Sequence, residues 1–302
     1  MSHALEALQH KIKSGQDLGS IVKTMKSLAA TSVLQYEQAV VSLESYTQTV
    51  EMGLSIVLKD IEHAIPSQPE EINKTLIIVF GSDHSLVGRF NEQIVHYSLV
   101  DHWDQNDSSL PEDAVFFSIG EQVEHRLLGE NVTVSEHFEL PSSVLAITEI
   151  VLALLRSIEA YQESHQTDHV LLMFNKPAHK ASYHPTSKIL LPVDLYQLSK
   201  KGKKWDSNSL PTYRVEAETL LSSLLRQYFF IILYQSFAWS LAAENAARLM
   251  AMQAAEKNIE ELLSELRIQY QQARQTEITD ELMDIVAGFK ALKAKKKPTA
   301  PR

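Results

Sequence analysis

The chain has 302 residues, a formal net charge of −10 and 44% apolar residues, enough for one large domain or two smaller ones around a buried core. The acidic balance argues against nucleic acid as a partner. The absence of cysteine excludes disulfides, thiolate nucleophiles and Cys-ligated metals.

Residues 2–64 contain no Pro, and their apolar residues recur at alternating steps of three and four. Leu5, Leu8, Ile12, Val22, Ala29, Val33, Tyr36, Val40, Leu43, Val50, Leu54 and Val57 form this seam, and Gly15, Gly19, Lys26 and Thr47 interrupt it. Such spacing predicts a coiled-coil helix facing one partner. Each Gly costs about 1 kcal/mol against Ala in a helix interior, so a bend is expected across SGQDLGS. The start, MSHALEALQHKIKS, lacks the apolar core of a signal peptide. No segment reaches the roughly 20 uninterrupted apolar residues that span a bilayer.

The connector PSQPEEIN, at 66–73, opens a middle zone of a different kind. TLIIVF, AVFFSI, VTVSEHF and HVLLMFNK read as short strands. Helical patterns NEQIVHYSLVDHW, EQVEHRLLG and ITEIVLALLRSIEAYQESH alternate with them, which predicts an α/β layer of Rossmann-like kind. Residues 176–204 are expected to begin as strand and then return as a polar loop.

Residues 212–287 hold neither Pro nor Gly. A second three/four ladder runs Leu221, Leu224, Tyr228, Ile231, Gln235, Ala238, Ala242, Asn245, Leu249, Met252, Glu256, Ile259, Leu263, Leu266, Tyr270, Ala273. A helix of that span is roughly 110 Å long. Pro211 is its expected start and Gly288 its expected stop. The predicted fold is therefore an α/β domain plus a long antiparallel two-helix coiled coil formed by the N- and C-terminal helices. The boundaries fall at 1–64, 65–204 and 205–302. The N-terminal helix is the shorter one, so part of its partner is left unpaired. The run AENAARLMAMQAAEKN, rich in Ala and Met, suggests a smooth and adaptable surface.

Signals for chemistry are weak. GSDHSLVGRFN follows a strand and precedes a helix, yet it matches neither G-x-x-x-x-G-K-[ST] nor G-x-G-x-x-G. A tight strand-to-helix turn is the expectation. His165 and His169, with Asp168, lack a third ligand at metal spacing, and His179 and His184 are equally unremarkable. No Ser/His/Asp set stands out among the twelve histidines. Met25, Met250 and Met252 read as packing residues. The basic tail, 290–297, reads as a solvated terminus.

The C-terminal run AENAARLMAMQAAEKNIEELLSELRIQYQQARQTEITDELMDIVAG resembles the gamma subunit family of rotary ATP synthases. HKIKSGQDLGSIVKTMKSLAAT near the start and GSDHSLVGRFN in the middle are similar to that family in place and partly in letters. The resemblance implies a non-catalytic central-stalk rotor that couples ion translocation through a membrane ring to ATP synthesis or hydrolysis. It implies alpha, beta and epsilon subunits and the membrane ring (c-ring) as partners, no cofactor or metal of its own, and a peripheral place at the cytoplasmic face of the bacterial inner membrane. Carried over by position, Arg274, Gln275 and Thr279 match shaft residues that hydrogen-bond to a beta loop. Met25 and Lys26 match the region near beta's acidic lever, and Glu244, Arg248 and Met252 match a lower-shaft signature. His84 and Arg89, SNSL at 207–210, Gly15, Gly19 and the basic tail depart from the family pattern. They point to a divergent branch such as the alternative sodium-type bacterial enzymes. The competing readings are a coiled-coil scaffold unrelated to ATPases, which predicts self-association, and a nucleotide-binding α/β enzyme.

Overall fold

The computed structural model describes residues 3–61, 74–178, 182–201 and 211–295. Helix α1 (His3–Asp60) is unbroken over 58 residues, and α7 (Ala217–Lys295) over 79. Between them lie β1 (Thr75–Phe80), α2 (Phe90–His96), a π-helical turn (Tyr97–Asp101) and α3 (His102–Gln105). Then follow β2 (Val115–Ile119), α4 (Glu121–Gly129), β3 (Val134–Phe138), α5 (Ile147–His165), β4 (His169–Pro177), β5 (Tyr183–Leu191) and α6 (Leu195–Lys201). Two compact units result. One contains Met252 onward with the chain up to Ser27, and the other holds Leu28–Ala251.

The five strands of the second unit form one sheet in the order β3-β2-β1-β4-β5, parallel except for β5. All six residues of β1 are buried, because both faces of the sheet are covered. Alternation divides them. Leu76, Ile78 and Phe80 pack with Val151 and Leu154 of α5 and with Leu233 and Phe237 of α7. Ile77 and Val79 pack with Ile94 of α2 and Val123 and Leu127 of α4. Each fully buried Leu, Ile or Phe contributes about 1.5–3 kcal/mol relative to exposure. The chain order reverses between β1 and β4, the switch point where open α/β sheets bind ligands at the carboxyl ends of their strands.

Within this unit α1 and α7 run antiparallel. Thr47 meets Gln235, Tyr46 meets Gln227, and Gly53 faces Leu224. Val50, Leu54 and Leu58 close the seam against Ile231 and against Leu198 of α6. Within the first unit the two helices also run antiparallel, with Gly15 against Leu263 and Gly19 against Ile259.

Several expectations are corrected. SGQDLGS lies within the unbroken helix α1, and its two glycines face Leu263 and Ile259 of α7. Gly288 does not stop α7, which continues to Lys295, and the helix starts at Ala217 rather than Pro211. Residues 176–204 are not mainly loop. β5 pairs antiparallel with β4 from Val170↔Leu191 to Pro177↔Tyr183, and α6 follows it. The connector 66–73, His179 and SNSL at 207–210 lie outside the described residues.

Candidate functional site

The Ala-rich stretch of α7 sits at the switch point. Ala243 and Ala247 pack on Val87 and Phe90 of the loop and helix start that follow β1, with Tyr183 of β5 alongside. The rings of Phe237 and Phe80, the last residue of β1, meet edge to face at 4.9 Å. Small side chains let the helix backbone lie close to the strand ends. The alanines at 242, 243, 246 and 247 are thus buried, and the expected smooth exposed surface is corrected at these positions. Met250 alone of that stretch presents a large apolar side chain to solvent, whereas Met252 is buried.

Two signature residues make an ion pair on this helix. Arg248 donates to Glu244 Oε1 at 2.7 Å, and Asn245 Oδ1 lies 3.4 Å from the same guanidinium. The Glu244 side chain is only 7% exposed. Burial pushes its carboxyl up from the ordinary value against the pull of Arg248, with Asp83 adding to the rise and His84 opposing it. Tyr36 of α1 faces the same pair, and its phenol is raised by burial and then by Glu244. The one-turn spacing on a helix makes the pair possible, and the surrounding domain makes it buried.

Met25 and Lys26 lie half-buried in the first unit. Lys26 donates to Glu256 Oε2, with Lys23 at 3.9 Å from the other oxygen. The hydrogen bond from Lys26 holds the Glu256 carboxyl below its usual value. Arg274, Gln275 and Thr279 are exposed, and the Thr279 hydroxyl is turned back to the Gln275 carbonyl at 2.8 Å. From 274 to 290 every residue except Glu277 is exposed, and Ile278, Leu282, Ile285 and Phe289 line one stripe of that helix. The structure therefore does not gather the predicted residues into one site. It spreads them as a buried pair, a half-buried interhelical contact and a bare helix end.

The histidines hold no metal arrangement. Among the described residues no three His, Asp or Glu side chains converge for an ion. His165 stacks on Tyr161 at 4.2 Å, His169 lies 3.4 Å from the Thr75 hydroxyl, and His184 is exposed. The unforeseen contributor is Asp83. Its two carboxylate oxygens accept from the backbone amides of Glu121 and Leu140, at 3.1 and 3.0 Å. Only its place in GSDHSLVGRFN hinted at a role, since both partners are distant backbone groups.

An α/β sheet unit packed on the middle of two long antiparallel helices defines the class of the fold. A model of the ATP synthase family matches residues 4–292, and the chain belongs to that family. Curated relatives that align with nearly the whole chain are ATP synthase gamma chains. That of Neisseria meningitidis serogroup B is 26% identical over 93% of this chain and 97% of its own. Those of Glaesserella parasuis and Pasteurella multocida are each 29% identical over 94% and 98%. Among solved structures, a chain of the Euglena gracilis mitochondrial ATP synthase (OSCP/F1/c-ring) has the same fold. It gives a TM-score of 0.67 at 18% identity, over 99% of this chain and 98% of that one. A chain of the Tetrahymena thermophila central stalk and c-ring gives 0.56 at 19% identity, over 78% and 99%. No helix among the described residues is long and apolar enough to cross a membrane.

Proposed function

We propose that this gamma-type subunit is the rotating central shaft of an F-type ATP synthase, linking ion flow through a membrane ring to ATP chemistry in an alpha-beta hexamer. Catalysis lies in the beta subunits, and this chain carries torque. The observation that carries the reading is the bare end of α7. An apolar stripe of Ile278, Leu282, Ile285 and Phe289 on an otherwise solvated helix calls for a surrounding partner. A hexamer that encloses the helix supplies one. Arg274, Gln275 and Thr279, exposed beside that stripe, are the proposed hydrogen-bonding contacts to beta. Met25 and Lys26 are proposed as contacts on α1, and Glu244, Arg248 and Met252 as the lower-shaft signature. Residues 1–64 and 205–302 are proposed to serve as the shaft and 65–204 as the body that meets epsilon and the ring, at the cytoplasmic face of the membrane.

The test is co-expression with the alpha and beta subunits of the same source. The expected result is one copy of this chain per three alpha and three beta, with higher ATPase than the hexamer alone. Arg274→Ala with Gln275→Ala is expected to lower turnover without releasing the subunit. Purification as a homo-oligomer that never joins the hexamer would replace this reading with the scaffold.

A further inference from the structure

The loop after β1 makes polar contacts with several other segments of the domain. Its Asp83 carboxylate takes one amide from the residue after Gly120, at the end of β2, and one from the segment that follows β3. Gly120 has φ +103, and a Cβ there would lie 2.9 Å from the Ser82 backbone, so the β2 end is pressed onto this loop. The Gln122 amide also donates to the Ser82 carbonyl at 2.9 Å. Asn91 closes the loop on itself, accepting from the Ser82 amide at 3.0 Å and donating to its hydroxyl at 2.8 Å. From β4, Asn175 Nδ2 donates to the Phe90 carbonyl at 3.2 Å. One segment therefore ties the carboxyl ends of all four parallel strands.

The same segment is what α7 rests on, through Val87 and Phe90 against Ala243 and Ala247. Asn175 is fully buried, yet among the described residues its Oδ1 has no hydrogen-bond partner. Ser240 Oγ, on α7, is likewise buried without one. An orphan buried acceptor is destabilising, because its lost hydration is not replaced. An apolar residue at 175 would avoid that cost but would lose the link to Phe90.

We propose that residues 81–91 are the coupling by which the α/β domain grips the shaft helix, with Asp83 and Asn175 as its positioning residues. The inference rests on the rotor reading. If torque enters at the domain, this segment carries it to α7 alongside the direct packing of Leu233 and Phe237 on the sheet, because the loop gathers the ends of every parallel strand before it meets the helix. Loosening the loop weakens the domain's hold on the helix, leaving only the direct packing on the sheet, while the far end of α7 still occupies the hexamer. ATP hydrolysis then continues without matching ion transport.

The experiment uses the whole complex in vesicles and reads the ratio of ATP-driven ion uptake to ATP hydrolysis. Asp83→Ala and Asn175→Ala are each expected to lower that ratio at least threefold with hydrolysis retained, and the double variant further. A general loss of stability would lower both activities together and leave the ratio unchanged. Val87→Cys with Ala243→Cys, oxidised in the Asp83→Ala background, is expected to restore the ratio, and a reductant to abolish the rescue. If Asp83→Ala does not assemble, Asp83→Asn, which keeps one acceptor oxygen, takes its place. An unchanged ratio in Asp83 and Asn175 variants of intact subunit composition overturns the proposal. Failure of the wild-type chain to enter any hexamer overturns the rotor reading instead.

Discussion

The middle of α7 and its far end both carry bulky apolar side chains and have opposite surroundings. Around Ile231 to Ala247 nearly every face is covered, by the sheet on one side and by α1 on another, so alanine, serine and a carboxylate are all buried. From 274 on, isoleucine, leucine and phenylalanine stand in solvent. Helix propensity is ample in both regions and distinguishes neither. Tertiary packing makes the first self-sufficient, and the second awaits a partner.

The contrast is tested most strongly by matched truncations. Phe237→Ala removes a ring packed on Phe80 and is expected to cost about 3–5 kcal/mol. Ile278→Ala is expected to change stability by less than about 0.5 kcal/mol. Urea unfolding of the full chain, followed by circular dichroism, measures both, and equal effects would break the comparison. A second test addresses the buried pair. Arg248→Ala strands Glu244 and is expected to cost about 3–5 kcal/mol near neutral pH.

That cost has a sign in pH. Burial places the folded Glu244 pKa above its unfolded value, so the folded state holds its proton longer. Stability from this group is greatest below the unfolded value, about 4.3, and is lost as pH rises through the folded one. Arg248→Ala raises the folded value further. Its penalty is therefore expected to be larger at pH 8 than at pH 5, and Glu244→Gln in the same background should flatten the difference. A penalty that grows toward acid would contradict the assigned burial.

The smallest effect concerns the paired helices of the first unit. A Cβ on Gly19 would meet Ile259 at an ordinary 3.5 Å, whereas one on Gly15 would lie 2.9 Å from Leu263 Cδ2. Gly19→Ala is expected to stabilise the chain by about 1 kcal/mol through helix propensity. Gly15→Ala should gain less, because Leu263 must move. Thermal melts of the two variants against wild type decide it.

Much of this architecture is legible in the heptad-like ladders, and their exceptions are as informative as their members. Thr47 and Gln235 interrupt different ladders and meet each other, as do Lys26 and Glu256. The glycine exceptions meet Ile259 and Leu263. Register was therefore encoded in the mismatches, though a single ladder read alone shows them only as faults. β1, β2 and β4 were readable as apolar runs because both faces are buried, whereas β3, VSEHF, is only partly covered. β5 was not readable, since an edge strand with Pro185 and mostly half-buried residues lacks that signal. The role of Asp83 was hidden for another reason: a carboxylate that accepts backbone amides leaves no pattern in the identity of its partners. Glu244 and Arg248 could be placed by spacing, but their burial depends on a domain assembled from residues far away in the chain.

The close approach at Gly15 also sets a dimension. Where a methyl group is missing, two helix axes can draw nearer, and the girth of the pair is smaller than a seam of leucines would allow. For a spindle turning within a sleeve, girth is clearance. Filling the notch with a larger side chain would thicken the spindle there, so bearing fit and friction become properties that one glycine adjusts.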